Sequence, residues 1–456
     1  MIYNLIKKYC NYIGIDGAIG YTILARIIQA SGGLITIVFI ALFLSQDQQG
    51  YYYTFGSLIA IQVFFELGLN SIITQYVAHE TAHLTWNSNV ELSGNEQHLS
   101  RLSSLLRFCL RIYGFLALML FIALEISGYI FFTKYQHGTE NVFWQSPWLL
   151  VAFSTSLMFV ISPILAFIEG LGKVKEIAKL RFIQTLINIA TIVLIFALNG
   201  GLFALGIASL VSFAILTGGV LFSYKKNLLL FIYRTKNKWN VDYWKEIFPY
   251  QYRIALSWIS GYFIFQLFNP VLFATEGPKI AGQMGMTLTA MNGISSLSMS
   301  WISTKSPTFS RLIALKNYQE LDRLFNKTLR QLSIVNFTLI LIFISLIYVL
   351  NLLNLPIANR FLNATPLVFL CLVTFANQFT FSWATYLRCH KKEPFLINSI
   401  VIGLLCASST LILGKYFGLW GIVSGYSVIS ILIGLPWGYY IFKTKKLEWH
   451  KIRNHQ

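Results

Sequence analysis

Runs of about twenty or more apolar residues recur along the chain, near 20–44, 51–78, 108–132, 147–170, 182–199, 202–222, 254–275, 280–304, 331–353, 366–387, 395–414 and 419–442. A bilayer core about 30 Å thick is crossed by roughly 20 residues of helix. Backbone polar groups in lipid must be satisfied within the segment, so such runs predict helices rather than strands. The pattern predicts an all-α polytopic membrane protein with about twelve transmembrane helices. The second and eighth runs are the most polar. The second carries Gln62, Glu66, Asn70 and Gln75; the eighth carries Gln283, Asn292 and several Ser and Thr. The first run is too long for a signal-peptide core and no small-residue cleavage site follows it, so it reads as the first span.

Composition agrees. Of 456 residues, 56% are hydrophobic and only 11% are charged, against about a quarter charged in soluble domains. Mean hydropathy is +0.62. A soluble enzyme and a disordered tail are excluded. The net charge of +18 raises nucleic acid as a partner, but its distribution removes it. The N-terminus, alternate loops and the C-terminus hold 31 of the 35 lysines and arginines, leaving Lys134, Lys279, Arg360 and Lys415. Cytoplasmic segments of membrane proteins concentrate Lys and Arg, so both termini are expected in the cytoplasm. The external loops are short, the longest near 133–146. That counts against polytopic glycosyltransferases and sugar polymerases, which need an outer loop to hold an acceptor and a base.

A weak internal repeat is visible. Arg26 opens the first span and Arg253 the seventh, while Gly50 and Gly282 lie near the starts of the second and eighth. Two parallel six-helix units are expected, the plan of two-lobed transporters: an N-terminal lobe over 1–222, a cytoplasmic amphipathic linker over 223–253, and a C-terminal lobe with its tail over 254–456. Segments 225–247 and 308–329 mix basic residues with apolar ones at helical spacing. Both read as interfacial helices on anionic lipid headgroups.

Ionisable residues at membrane depth are costly and usually serve a cavity or a partner. Arg26 lies shallowly in the first run, where it either snorkels to the headgroups or contacts an anion with its planar fork. Glu66 is the only acidic residue near the middle of any run. On one continuous helix Gln62, Glu66 and Asn70 share a face, as a helix-packing stripe or as part of a cavity with Glu66 coupling to H+ or Na+. Glu125 and Glu169 sit nearer the ends and read as interface carboxylates. Pro163, Asn269-Pro270 and Pro436 interrupt spans. Trp258, Tyr262 and Trp301 suit either interface anchoring or sugar stacking. The five cysteines show no paired spacing and the seven histidines lie in polar stretches, so no metal site, disulfide framework or cofactor is expected. No phosphate-binding loop or hydrolase motif appears, so transport would be driven by a gradient or by the substrate.

The segment 29–80, with its QGYYYTFGS and FFELGLNS patterns, resembles the first helical hairpin of bacterial lipid-linked oligosaccharide flippases of the multidrug/oligosaccharidyl-lipid/polysaccharide (MOP) superfamily. Beyond residue 80 the resemblance rests on the twelve-span plan and a P-x-x-S-R helix from Pro307 to Arg311. It implies a MATE-like fold of two lobes around a V-shaped cavity. It also implies alternating access and transfer of an undecaprenyl-diphosphate-linked glycan to the outer leaflet of the bacterial cytoplasmic membrane. Relatives place cations in the cavity. Arg26 matches by position, and Arg253 and Lys305 lie at the mouth of spans seven and eight, with Gln62 and Asn70 as further substrate contacts. Spans seven to twelve hold few charges, a departure that leaves little to bind a diphosphate deep in that lobe. A cation-coupled drug exporter of the same fold and a non-transporting scaffold among polysaccharide assembly proteins stay open.

Overall fold

The computed structural model describes residues 32–33, 35–136, 142–235, 239–390 and 392–451, and they are almost wholly helical. A helix over 35–43 is followed by α1 (Gln46–Ile59), the short turns Ala60–Gln62 and Val63–Glu66, and α2 (Leu69–Thr81). A small hairpin of β1 (Leu84–Trp86) and β2 (Leu92–Gly94) leads into α3 (Glu96–Tyr135), α4 (Gln145–Gly170), α5 (Val174–Ala197), α6 (Phe203–Leu221) and α7 (Tyr224–Arg234). A π-helical turn, Tyr243–Ile247, precedes α8 (Phe248–Phe265), α9 (Phe268–Glu276), α10 (Pro278–Ala314) and α11 (Tyr318–Leu352). The chain ends in α12 (Ala364–Arg388), α13 (Leu396–Val428) and α14 (Leu435–Lys451).

Among the described residues, eight helices are long and apolar enough to cross a membrane, and nine if the broken pair Gln46–Glu66 and Leu69–Thr81 is one span. The longest of the eight, Leu396–His450, is two passes. A Cβ on Gly425 would collide with Ser409 Oγ, yet sixteen residues of straight helix would separate them by about 24 Å. The chain reverses at Gly418, whose φ of 53° and ψ of −133° are open only to glycine. Glu276 holds the turn by accepting the Leu419 N–H at 2.5 Å. The two apolar runs split there in the sequence are therefore the arms of a hairpin.

The described residues fall into two compact units. One is Ile59–Lys134 with Phe143–Trp258; the other is the described part of Ala30–Leu58, Tyr135–Val142 and Ile259–Gln456.

In the first unit α4 is the central helix. Small residues set its contacts: a Cβ on Gly206 would meet Leu150, one on Gly170 would meet the Thr74 carbonyl, and one on Gly128 would strike the Trp148 ring. Close approach at small residues is how helices gain packing in lipid, where the solvent is as apolar as leucine. α5 and α6 are joined by Gln184 and Asn188, which donate to Ser212 Oγ at 2.9 and 3.0 Å. α3 starts well before its apolar run. Its 40 residues make a rod about 60 Å long. In the segment expected as one interfacial helix over 225–247, the described residues form α7, a non-helical stretch over 239–242 and the π-turn, strapped to this rod. Ser103 donates to the Thr235 carbonyl at 3.2 Å and Ser100 to that of Trp239 at 3.2 Å. Arg107 donates to the Tyr233 carbonyl at 2.5 Å. Leu228 and Ile232 are fully buried.

In the second unit α1 lies against α10. Adjoining parts of α10, α11, α12 and α14 share an aromatic core of Phe309, Phe325, Trp383, Tyr386 and Phe442. Tyr386 donates to Asp322 at 2.8 Å, and Lys446 pairs with the same carboxylate at 2.8 Å. The amphipathic segment 308–329, expected as a separate interfacial helix, is the continuation of α10 and α11 out of their apolar portions. A tight turn with Lys316 at φ 56° and an Asn317 cap on Glu320 N–H join them. Amphipathic periodicity alone does not separate a helix lying on headgroups from a hairpin whose apolar face is packed.

Candidate functional site

The first polar site forms where the second apolar run breaks. Leu67 and Gly68 both take left-handed conformations, φ 49° and 70°, so the helix stops after Glu66 and restarts at Leu69. The single continuous stripe of Gln62, Glu66 and Asn70 is therefore corrected, since Gln62 falls on a 3-10 turn before the break and makes no hydrogen bond among the described residues. Glu66 and Asn70 do meet: the Asn70 amide donates to Glu66 Oε1 at 2.8 Å. The same amide donates to Ser162 Oγ at 3.1 Å, and Asn70 Oδ1 accepts from Tyr113 OH at 3.0 Å. One asparagine thus ties α2, α3 and α4 around a carboxylate.

Pro163 explains the serine. Proline lacks the N–H that would bond four residues back, which frees the Phe159 carbonyl, and Ser162 Oγ donates to it at 2.9 Å. Thr74 adds a second tie by donating to the Ala166 carbonyl at 3.1 Å. Glu66 is only partly buried, and its second oxygen has no partner among the described residues. Arg181 lies within electrostatic range of Glu66 and pairs with Glu169 at 3.3 Å. Glu169 is thus ion-paired rather than simply solvated. The sequence pointed to Glu66 and Asn70 through their spacing of four. Ser162, Tyr113 and Arg181 were missed, since only the neighbouring Pro163 hinted at a polar contact there.

The second polar site lies in the second unit. α10 exposes Asn292, Ser296 and Thr304, and its length would span a bilayer, yet it is not among the helices apolar enough for lipid. An amide exposed at that depth is disfavoured against hydrocarbon, so this face of α10 suits water or other polar groups better than lipid. Beside it, α8, α9, α12 and α13 close a pocket around Phe265, Phe381, Asn292, Ser295, Asn377 and Tyr426. Asn377 donates to Tyr426 OH at 3.0 Å. Asn377, Tyr426 and Phe381 were not singled out from the sequence.

Of the other expected site residues, Arg26 lies outside the described residues. Arg253 sits on α8, and its side chain lies outside them too. Lys305 is half-buried on the C-terminal part of α10 and makes no ion pair among the described residues. No group of three His, Cys, Asp or Glu among the described residues could hold a metal ion.

The sequence matches no protein-family model and no curated protein. Solved structures do match. The MATE multidrug transporter DinF-BH aligns with a TM-score of 0.59 at 15% identity, over 93% of this chain and 93% of that one. A multidrug resistance MATE family transporter of the MOP superfamily, in its outward-facing conformation, gives 0.59 at 14%, over 94% and 96%. The lipid II flippase MurJ in an inward closed conformation gives 0.56 at 14%, over 93% and 89%. From its packed helices and these likenesses together, the chain is an all-α polytopic membrane protein with the fold of the MATE transporters.

Proposed function

We propose that the protein is a flippase. Its cargo is an undecaprenyl-diphosphate-linked oligosaccharide repeat unit, moved by alternating access from the inner to the outer leaflet of a bacterial cytoplasmic membrane. The product feeds O-antigen, capsule or exopolysaccharide synthesis. The observation that carries this reading is the uncharged polar face of α10 at bilayer depth, with Asn292 and Ser296 exposed. A glycan offers hydroxyls to such a face, whereas an organic cation calls for carboxylates. The likeness of the fold to a lipid II flippase and of segment 29–80 to oligosaccharide flippases supports it. Arg26, Arg253 and Lys305 are the proposed contacts to the diphosphate, Gln62 and Asn70 further substrate contacts, and Glu66 the proposed H+ or Na+ site. Anionic lipids and polysaccharide assembly proteins are the proposed partners.

The test is translocation of a fluorescent undecaprenyl-diphosphate oligosaccharide in proteoliposomes. Arg26→Ala should abolish it and Arg26→Lys restore it in part, because an ammonium lacks the guanidinium fork. Efflux of an organic cation without glycolipid movement would favour the drug-exporter reading instead. Glu66, partly exposed with one oxygen unpartnered, is the observation that keeps that second reading in play.

A further inference from the structure

The pocket on the second unit has a composition that selects its ligand. Phe265 and Phe381 line it and are 41% and 37% exposed, so their rings are available as platforms. Asn292 and Ser295 make no hydrogen bond among the described residues. Asn377 gives one amide hydrogen to Tyr426 OH, and its Oδ1 has no partner there. The pocket thus offers donors and acceptors together, beside apolar faces, with no charged side chain in its lining. Its cavity is small, about 60 Å³, and opens outward, so a ring would rest across its mouth. Asn292 stands fourteen residues into α10, about 21 Å along the helix from Pro278, which puts the pocket well inside the bilayer.

We infer that the mouth of this pocket seats a neutral sugar ring of the cargo, its C–H face against Phe381 and Phe265 and its hydroxyls reaching Asn292, Ser295 and Asn377. A sugar matches both halves of the lining. Its hydroxyls need partners that donate and accept, and its axial C–H groups meet the negative face of an aromatic ring. A diphosphate finds no cation here, and an organic cation finds no carboxylate. The inference deepens the glycolipid reading and rests on it for the identity of the cargo.

The experiment uses the full chain in lipid nanodiscs, with N-acetylglucosamine, galactose and rhamnose as probes and saturation-transfer NMR as the readout. Transfer to at least one sugar is expected. It should fall at least fivefold in Phe381→Ala and in Asn292→Leu and return in Phe381→Trp. Both truncated side chains are exposed, and an unchanged melting temperature would confirm that the variants fold. No transfer to any of the three sugars, or equal transfer in wild type and variants, overturns the inference. So does tetraphenylphosphonium binding that depends on Phe381 and Asn292 while the sugars give no signal. Glycolipid translocation run in parallel separates the two readings. Translocation without pocket-dependent sugar transfer sinks the pocket alone. Sugar transfer lost in the variants, without any translocation, sinks the flippase reading and leaves the pocket.

Discussion

Gly50 on α1 and Gly282 on α10 face each other with almost no space between their backbones. A Cβ on Gly282 would sit 2.9 Å from Gly50 N, and one on Gly50 would run into the Pro278 carbonyl. Gln49 locks the same crossing, with its buried amide donating to the Gly282 carbonyl at 2.8 Å and to the Arg360 carbonyl at 3.0 Å. Arg360 in turn donates to the Leu44 carbonyl at 2.5 Å. One of the few basic residues expected outside the membrane is therefore a structural tie.

Gly50→Ala should destabilise the protein by about 3 kcal/mol, the upper range for overpacking, because its new methyl meets backbone rather than a movable side chain. Gly282→Ala should cost less, since its methyl would approach the Gly50 N at 2.9 Å, against 2.0 Å to the Pro278 carbonyl oxygen for Gly50→Ala. Gly56→Ala, on the same helix with no atom within 4 Å of its Cβ, should be neutral or stabilising by about 0.5–1 kcal/mol. Thermal melts in detergent check all three, and a Gly50→Ala melt equal to that of Gly56→Ala would refute the close crossing.

Asn70→Leu should leave Glu66, Tyr113 and Ser162 without their shared partner and cost about 1–3 kcal/mol for each group stranded. Glu66→Gln keeps the acceptor for Asn70 and should preserve folding. In proteoliposomes under an imposed proton or sodium gradient, Glu66→Gln is expected to transport without gradient dependence. Equal gradient dependence in wild type and variant would reduce Glu66 to a packing residue.

The helices and the polar pair were legible because both are local. Apolar run length marked the spans, and a spacing of four brought Glu66 to Asn70. The break between them was not legible, since -Glu66-Leu67-Gly68-Leu69- has one glycine in an otherwise helical pattern, and leucine is an uncommon residue at positive φ. Tyr113 and Ser162 are 43 and 92 residues from Asn70, and one sequence carries no signal for such pairs. The α13 reversal was legible in part, because Gly414, Lys415 and Gly418 interrupt the apolar run.

The charge split predicts where each loop faces. Reporter fusions at Gln136 and Asn363 should read as external, and fusions at Lys236 and Gln319 as cytoplasmic. A clear reversal at Asn363 would invert the orientation assigned to α11 and α12.

Arg101 anchors the strap to the rod. It donates to Glu80 at 2.8 Å and pairs with Glu246; His98 contacts Glu80 at 2.6 Å. Burial alone would raise the Glu246 carboxyl, but the Arg101 hydrogen bond, the Asp242 N–H and the Arg101 charge outweigh it and hold Glu246 below the usual carboxylate range. A lowered folded value means that its contribution is present above the unfolded value, about 4.3, and fades as pH falls through the folded one. Hydrogen exchange over 239–247, measured relative to the intrinsic amide rate at each pH, should therefore accelerate in acid, beginning below about pH 4. Arg101→Met should accelerate it already at neutral pH and cost roughly 3 kcal/mol, the low end for breaking a buried pair, because Arg101 keeps some exposure. Identical exchange in wild type and Arg101→Met would show that the strap is held by its other contacts.

The length of α3 makes it a lever. From the middle of its apolar run near residue 120 to Glu96 is about 36 Å of rigid helix, so a tilt of about 10° within the bilayer swings the N-terminal tip by about 6 Å. The strap, fastened at Ser100, Arg101, Ser103 and Arg107, travels with the tip. The advantage runs both ways: a ligand or antibody fragment that grips the strap applies torque to the intramembrane half, where Tyr113 holds Asn70. A force applied outside the membrane would thus reach its interior.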